Sequence, residues 1–369
     1  VARPDTRVPV TLLTGFLGSG KTTLLRALLA EPGMEGTAVL INEFGEIGLD
    51  HLLVRSVHGD AIVLQNGCIC CTLQADLQQG LRDVIDGRAD GSFPNFERIV
   101  IETTGLADPS PIIQTLILDQ MLKHQVRLAN TIVTVDAVNG AAQLHTHIES
   151  VRQVAVADRL VVTKSDIASE ASRAALRREI ERLNPTARLY DSQAKDFTAR
   201  ALVIEGLADP DSKLAEVQRW LRYADGQSEK GDSGHGHDHD HDHEDHEHAA
   251  HAGAGHHSAN IRSFSLRITE PIDWTAFGVW LTALLHRHGT QVLRVKGLLN
   301  VSDALGPVVL HGVQHIIHTP MHLDAWPDAD TSSRIVFVVQ DLDPELIRES
   351  LFTFLAAARG DQRALAVTD

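Results

Sequence analysis

Short apolar runs alternate with amphipathic stretches through the first 220 residues: Val8 to Leu13, Thr37 to Asn42, Ala61 to Leu64, Arg98 to Glu102, Thr131 to Asp136, Leu160 to Thr163 and Ala187 to Tyr190. Each run is strand-length, rich in Val, Ile and Leu, and separated from the next by enough chain for a crossover helix. Lys21 to Ala30 reads as one such helix, and Ser169 to Leu183, with mixed charges on one side, as another. The pattern predicts an α/β fold: a doubly wound, mostly parallel sheet with helices on both faces.

The pattern stops at Gly226. From there to Ser258 the chain is mainly Gly, His, Asp, Glu and Ala, with ten histidines between His235 and His257 and no large apolar residue. Such a segment cannot bury enough surface to offset its ordering entropy, so it reads as a disordered insert. Periodicity returns with the alternating strand Phe264-Ser-Leu266-Arg-Ile268, a helix near Trp274 to His288, strands near Val292 to Val301, Val308 to Ile317 and Ile335 to Gln340, and a helix at Glu345 to Ala358. The order β-α-β-β-β-α predicts a smaller α+β domain. The expected division is 1–225, 226–258 and 259–369.

Composition adds constraints. The chain has 369 residues, 43% hydrophobic and 22% charged, enough for two domains with full cores. Its formal net charge of −16, half of it in residues 225–257, leaves no basic surplus for nucleic acid or an anionic membrane. No apolar run of about 18 residues is present. Three clustered cysteines cannot make a disulfide framework. A soluble, cytoplasmic protein is expected; a homodimer is compatible with the sequence.

Candidate chemistry begins at Gly15-Phe-Leu-Gly18-Ser19-Gly20-Lys21-Thr22, followed by Thr23. Glycines let backbone amides turn inward on phosphate oxygens, Lys21 reaches the β and γ phosphates, and Thr22 is a magnesium ligand. A strand precedes this loop and a helix follows it. Glu102, ending the run Arg98 to Glu102, can hold the magnesium shell through water, and the Gly105 amide can face the γ phosphate. Thr163-Lys164-Ser165-Asp166 supplies a base reader, because a carboxylate accepts both guanine N1–H and N2–H, groups adenine lacks. Lys21, Thr22 and Glu102 are therefore the residues assigned to GTP hydrolysis.

Cys68, Cys70 and Cys71, in Cys-Ile-Cys-Cys, form a soft-metal motif. In an extended segment Cys68 and Cys70 face one way and Cys71 the other, so convergence on one ion needs a turn or only two thiols. Glu43 and Glu46 are candidate further ligands, since they occupy the place of a first switch loop. Zinc suits such a set, with Co(II) and Cu(I) open; a redox pair or packed core cysteines are the alternatives. His235, His237, His239, His241, His243, His246 and His248 make a redundant, exchangeable metal-binding composition, or else a tag or a solvated charge run. His311, His315, His318 and His322 do not fix one face and read as surface or strand residues.

These motifs, GFLGSGKTT, NEFGEIGLD, NGCICC, ETTGLADP and TKSD, resemble those of the CobW-type metallochaperone GTPases. RVKGLLNV, GVQHI, Trp326, RIVFVV and DLD similarly resemble the CobW C-terminal domain. The resemblance implies a P-loop GTPase domain and slow GTP hydrolysis with magnesium, coupled to binding and delivery of zinc or cobalt to an apo-metalloprotein. Thr163 stands where GTPases commonly carry Asn. A zinc-buffering or sensing protein, and a dedicated activator of one metalloenzyme such as a cobalamin chelatase or nitrile hydratase, are alternative readings.

Overall fold

The computed structural model describes residues 5–42, 63–65, 73–204, 217–218, 220–221 and 260–360. The expected insert at 226–258 lies outside them. The first sheet contains β1 (Val8–Gly15), β2 (Thr37–Asn42), β3 (Val63–Gln65), β4 (Arg98–Thr103), β5 (Val126–Asp136), β6 (Arg159–Thr163) and β7 (Arg188–Asp191). Their spatial order is β3-β2-β4-β1-β5-β6-β7, and every pairing is parallel. β1 has β4 on one side and β5 on the other, so the strand order turns back at β1. In an open α/β sheet that reversal opens a crevice beyond the strands' carboxyl ends.

The helices of this unit are α1 (Lys21–Leu29), α2 (Leu73–Asp90), α3 (Ser110–Leu118), α4 (Leu122–Gln125), α5 (Gly140–Thr146), α6 (Ile148–Val156), α7 (Glu170–Leu183) and α8 (Ala201–Ile204). They cover both faces. Leu24, Leu25 and Leu28 of α1 join Leu13, Val39, Val100 and Val161 in one core, and Leu77, Leu81 and Val84 of α2 join Val10, Leu12, Ile99 and Ile101 in the other. β5 begins five residues earlier than the expected strand at Thr131, and its register against β1 shifts between Val10 and Thr11.

The second sheet is antiparallel, ordered β11-β10-β9-β13-β8, with β12 also paired to β10. Its strands are β8 (Ile261–Ile268), β9 (Val292–Leu299), β10 (Val308–Val313), β11 (Ile316–Ile317), β12 (Met321–His322) and β13 (Ser333–Gln340). α9 (Trp274–His288) and α10 (Pro344–Ala358) pack on one face through Phe277, Trp280, Ile347 and Leu351 against Phe264, Val295 and Phe337. The expected strand Val308 to Ile317 is a hairpin instead: Gly312 pairs with Ile317 and Val313 with Ile316, around Gln314 at φ 51°. Its apolar residues continue across the turn, so hydrophobic pattern alone does not reveal the break.

The sheet's other face is covered by the first unit. Ile261, Leu293 and Val338 share a core with Val154, Ala155 and Ile180, while Leu298, Val309 and Val336 bury Val217, Trp220 and Leu221. β9 is consequently buried on both faces, including Arg294 and Lys296 at 4% and 1% exposure. Those cations meet Asp158, just after α6: Arg294 Nη2 bonds its Oδ1, Lys296 Nζ lies at 3.8 Å, and the Thr131 N–H donates to Oδ2 at 2.9 Å. Burial works to raise the Asp158 pKa, but Arg294, Lys296 and the Thr131 N–H outweigh it and hold the carboxyl far below its usual range. No helix among the described residues is long and apolar enough to cross a membrane.

His318 lies beside this cluster, its Nε2 enclosed. Burial pushes its pKa down to about 4; Asp158 acts the other way, and Arg294 and Lys296 add to the lowering. The native state thus refuses a proton that the unfolded chain accepts near pH 6.5, so stability falls as pH drops from about 6.5 towards 4. Asp158, depressed in the native state, adds a loss below about pH 4. Thermal unfolding of His318→Gln should show a lower midpoint at pH 7 but a flatter pH 6.5-to-4 slope, the wild type losing roughly 5 °C more across that window. Equal slopes would contradict the assignment.

Candidate functional site

The phosphate loop fills the turn from β1 to α1, at the reversal point of the sheet. Gly15 (φ 144°) has no room for a side chain: a Cβ there would meet Thr134 Oγ1 at 2.4 Å and Thr134 O at 2.5 Å. Gly18 and Gly20 sit at φ 70° and 91°, a region other residues rarely adopt. Gly20 is the N-cap of α1 and no side chain caps that helix, whereas Ser169, Asp273 and Asp343 cap α7, α9 and α10. The amino-terminal N–H groups of α1 are left for an anion. Lys21 Nζ donates to Gly15 O at 3.0 Å and Phe16 O at 3.3 Å, which holds the ammonium over the loop. Thr23, one residue on, is exposed.

Hydroxyl groups close the strand ends around the loop. Ser19 Oγ is 2.6 Å from Thr134 Oγ1, and Thr103 Oγ1 donates to Thr14 Oγ1 at 2.7 Å. Thr22 Oγ1 donates to Glu102 Oε1 at 2.7 Å, with Glu102 only 5% exposed. A hydroxyl and a carboxylate, both hard oxygen donors, thus meet at the end of α1 nearest the loop. The turn after β4 folds back on the same loop: a Cβ on Gly105 would meet Leu17 N and Cα at 2.7 Å.

The segment expected to read the base, Thr163 to Asp166, begins at the end of β6. Thr163 Oγ1 donates to Ser19 O at 2.7 Å, tying it to the phosphate loop, and Thr163 Cγ2 would lie 3.4 Å from a Cβ on Gly20. Lys164, at φ 57°, donates from Nζ to Asp136 Oδ2 at 2.8 Å. Burial works to raise the Asp136 pKa, but Lys164, the Val138 N–H and Asn139 hold it below the ordinary value. Asp166 is exposed at the end of this segment. Ser165 Oγ donates to Asp191 Oδ1 at 2.5 Å, and the Gln193 N–H reaches the same oxygen at 2.9 Å, so the loop after β7 is pinned beside it.

The geometry brings together Gly15, Gly18, Ser19, Gly20, Lys21, Thr22, Glu102, Gly105, Thr163 and Lys164. It adds Asp136, Asp191, Thr14 and Thr134, which carry no motif of their own; acids at the ends of β5 and β7 are their sequence signal. Phe16 of the loop also stacks on His147, ring centroids 4.6 Å apart. Glu43, Glu46, Cys68, Cys70, Cys71 and the histidines from His235 to His248 lie outside the described residues. Among the described residues no three His, Cys, Asp or Glu groups are placed to hold a metal ion. β2 and β3 nonetheless end on the same edge as the nucleotide site: Ile41 pairs with Gln65 on one side and Glu102 on the other, and Asn42 pairs with Thr103.

Comparison with known proteins agrees with this architecture. Residues 9–191 match the CobW/HypB/UreG nucleotide-binding domain, and residues 261–355 match the cobalamin synthesis protein cobW C-terminal domain. The zinc chaperone YjiA of Escherichia coli is 32% identical over 342 residues, 92% of this chain and 96% of that protein. The zinc-regulated GTPase metalloprotein activator 1 of Schizosaccharomyces pombe is 38% identical over 192 residues, 50% of this chain and 46% of that one. The crystal structure of Zn(II)-bound YjiA GTPase from E. coli superposes with a TM-score of 0.63 at 27% identity, covering 96% of this chain and 99% of that one.

Two substitutions probe the site. Thr163→Val removes the bond to Ser19 O and should weaken GTP and GDP alike, by about 0.5–1.5 kcal/mol in a titration. Gly105→Ala forces the turn off Leu17 and should weaken a nonhydrolysable GTP analogue about tenfold, or about 1.4 kcal/mol, while sparing GDP. Equal losses for both nucleotides in Gly105→Ala would remove the turn from the γ-phosphate side.

Proposed function

Because this chain belongs to the CobW/HypB/UreG family of nucleotide-binding proteins, we propose that it is a GTP-dependent metallochaperone that loads zinc at Cys68, Cys70 and Cys71 and passes it to a client apo-metalloprotein. The observation that carries this is the shared edge of β2, β3 and β4. Cys68 is three residues beyond Gln65, so its Cα lies within about 11 Å of that strand end. Glu43 directly follows Asn42, whose strand neighbour is Thr103. The described ends of β2 and β3, from which the chain continues to Glu43 and to Cys68, therefore lie on the same sheet edge as Glu102 and Thr103.

In this reading Thr22 and Glu102 hold Mg2+, for which two hard oxygens are suitable donors; the ion neutralises phosphate charge when bound. Lys21 and the uncapped start of α1 position the β and γ phosphates. Asp166 reads guanine, and Lys164, braced by Asp136, keeps its segment in place. The γ phosphate orders residues 42–50 and 102–108 and tightens the metal geometry; hydrolysis releases both. Turnover is slow until a client is engaged. The histidines from His235 to His248 hold further zinc in exchangeable form, and Co(II) is a second cargo that the same donors accept.

The cycle requires coupling. Zn(II) affinity should be higher with magnesium and a nonhydrolysable GTP analogue than with GDP, by about 1–3 kcal/mol, with the same factor appearing as tighter binding of that analogue by the zinc-loaded protein. Serine at positions 68, 70 and 71 should erase the difference and keep nucleotide binding; deleting 235–257 should lower only the number of weakly held ions. Equal zinc affinities in the two nucleotide states would leave two unconnected sites. Base choice is read separately: GTP should outcompete ATP, and Asp166→Asn should shrink that preference.

A further inference from the structure

The turn after β4 is held from behind by a side chain that no motif includes. Gln153, on α6, is 1% exposed, and its Nε2 donates to Gly105 O at 3.1 Å and to Ala107 O at 3.0 Å. A primary amide has two N–H groups, and both are used on carbonyls two residues apart. That fixes the shape of the turn as well as its position. The neighbouring Arg152 Nη1 bonds Asp108 Oδ2 at 3.4 Å, adding an outer tether. In front of the turn there is no slack, because Gly105 already lies against the backbone of Leu17.

The far end of α6 is equally fixed. Asn184 Nδ2 bonds Val154 O, Ala155 O and Ala157 O at 2.7, 3.2 and 2.9 Å, and Arg294 Nη1 of β9 bonds Val156 O. Gln153 is three residues, about 4.5 Å along the axis, from Val156. The carbonyl of Gly105 is therefore connected to the second sheet through one side chain, less than one helical turn and one guanidinium. The Oε1 of Gln153 is buried without a hydrogen-bond partner among the described residues.

From this geometry we infer that Gln153 is a positioning residue for nucleotide hydrolysis: it sets the Gly105–Ala107 turn against the phosphate loop from a helix whose other end is anchored to the C-terminal sheet. The inference rests on the GTPase reading above. Gln153 does not touch nucleotide; it acts through the Gly105 amide, which must stand at a fixed height over the γ phosphate. GDP has no group at that height. Loss of Gln153 should consequently be felt in the chemical step and in γ-phosphate recognition, and not in GDP binding.

The experiment uses the full chain with Gln153→Met, which keeps length and apolar bulk but removes both donors. In GTP turnover kcat should fall at least tenfold and KM should rise about as far as GTPγS affinity falls, about tenfold, while GDP affinity stays within about twofold. Wild-type kcat and wild-type GTPγS-to-GDP discrimination in a folded Gln153→Met protein would overturn the inference. If that variant does not fold, Arg152→Ala loosens the same turn from its exposed side and should lower kcat two- to fivefold; an unchanged kcat there would count against the inference. Absence of GTP turnover in the wild type would sink the GTPase reading instead, and the GTPγS-to-GDP ratio in the variant would still decide the role of Gln153.

Discussion

The strand-order reversal at β1 is the constraint on which the site depends. β4 and β5 pair with β1 from opposite sides, and α1 joins one core while α3 and the end of α6 join the other, so the strand order opens a gap at the end of β1. The gap must be filled by backbone. Gly15 fills it, pressed so closely on Thr134 that a methyl group has no place. Because the loop is wedged between its neighbours' ends, short hydroxyl bonds suffice to bring Thr14, Ser19, Thr103, Thr134 and Thr163 into one rigid edge. The catalytic candidates inherit that rigidity.

The contact between the two units is built differently. A buried ion pair is a poor source of stability, since removing Arg294, Lys296 and Asp158 from water costs much of what their attraction returns. Apolar packing of Val154, Ala155, Ile180, Leu293 and Val338 holds the faces together, and the charges fix which residues face which. A slipped register would bury a cation against Val or Leu, a large penalty. The pair thus works as a register pin, and it places Arg294 on the last carbonyls of α6.

The strands of the first sheet were legible because buried parallel strands read as unbroken Val, Ile and Leu runs, and the phosphate loop because its glycines serve a backbone conformation. The second sheet was legible in outline, yet the turn at Gln314 was hidden by apolar residues on both sides. Arg294 and Lys296 mislead in a different way: alternating charges in a strand normally mark a solvent face, and here they are buried and meet Asp158 on another unit. Gln153, Asp136 and Asp191 could not be found by spacing, since each acts on a segment distant in sequence, 48 residues away for Gln153 and Gly105. The metal reading of Cys68, Cys70 and Cys71 rests on the sequence, three thiols in four positions, since those residues lie outside the described ones.

Thr163 shows how a departure from a common motif is absorbed. An Asn there would offer a donor and an acceptor on a planar group, while Thr offers one hydroxyl and a methyl. The hydroxyl donates to Ser19 O, and the methyl packs over Gly20, where a glycine leaves space for it. What the threonine keeps is the tie between its segment and the phosphate loop; what it lacks beside an Asn is the second donor. Lys164 is braced by Asp136, whose carboxylate also accepts from two backbone N–H groups. The acid that ends β5 is therefore tied through Lys164 to the segment that follows β6, so the two strand ends act as one support.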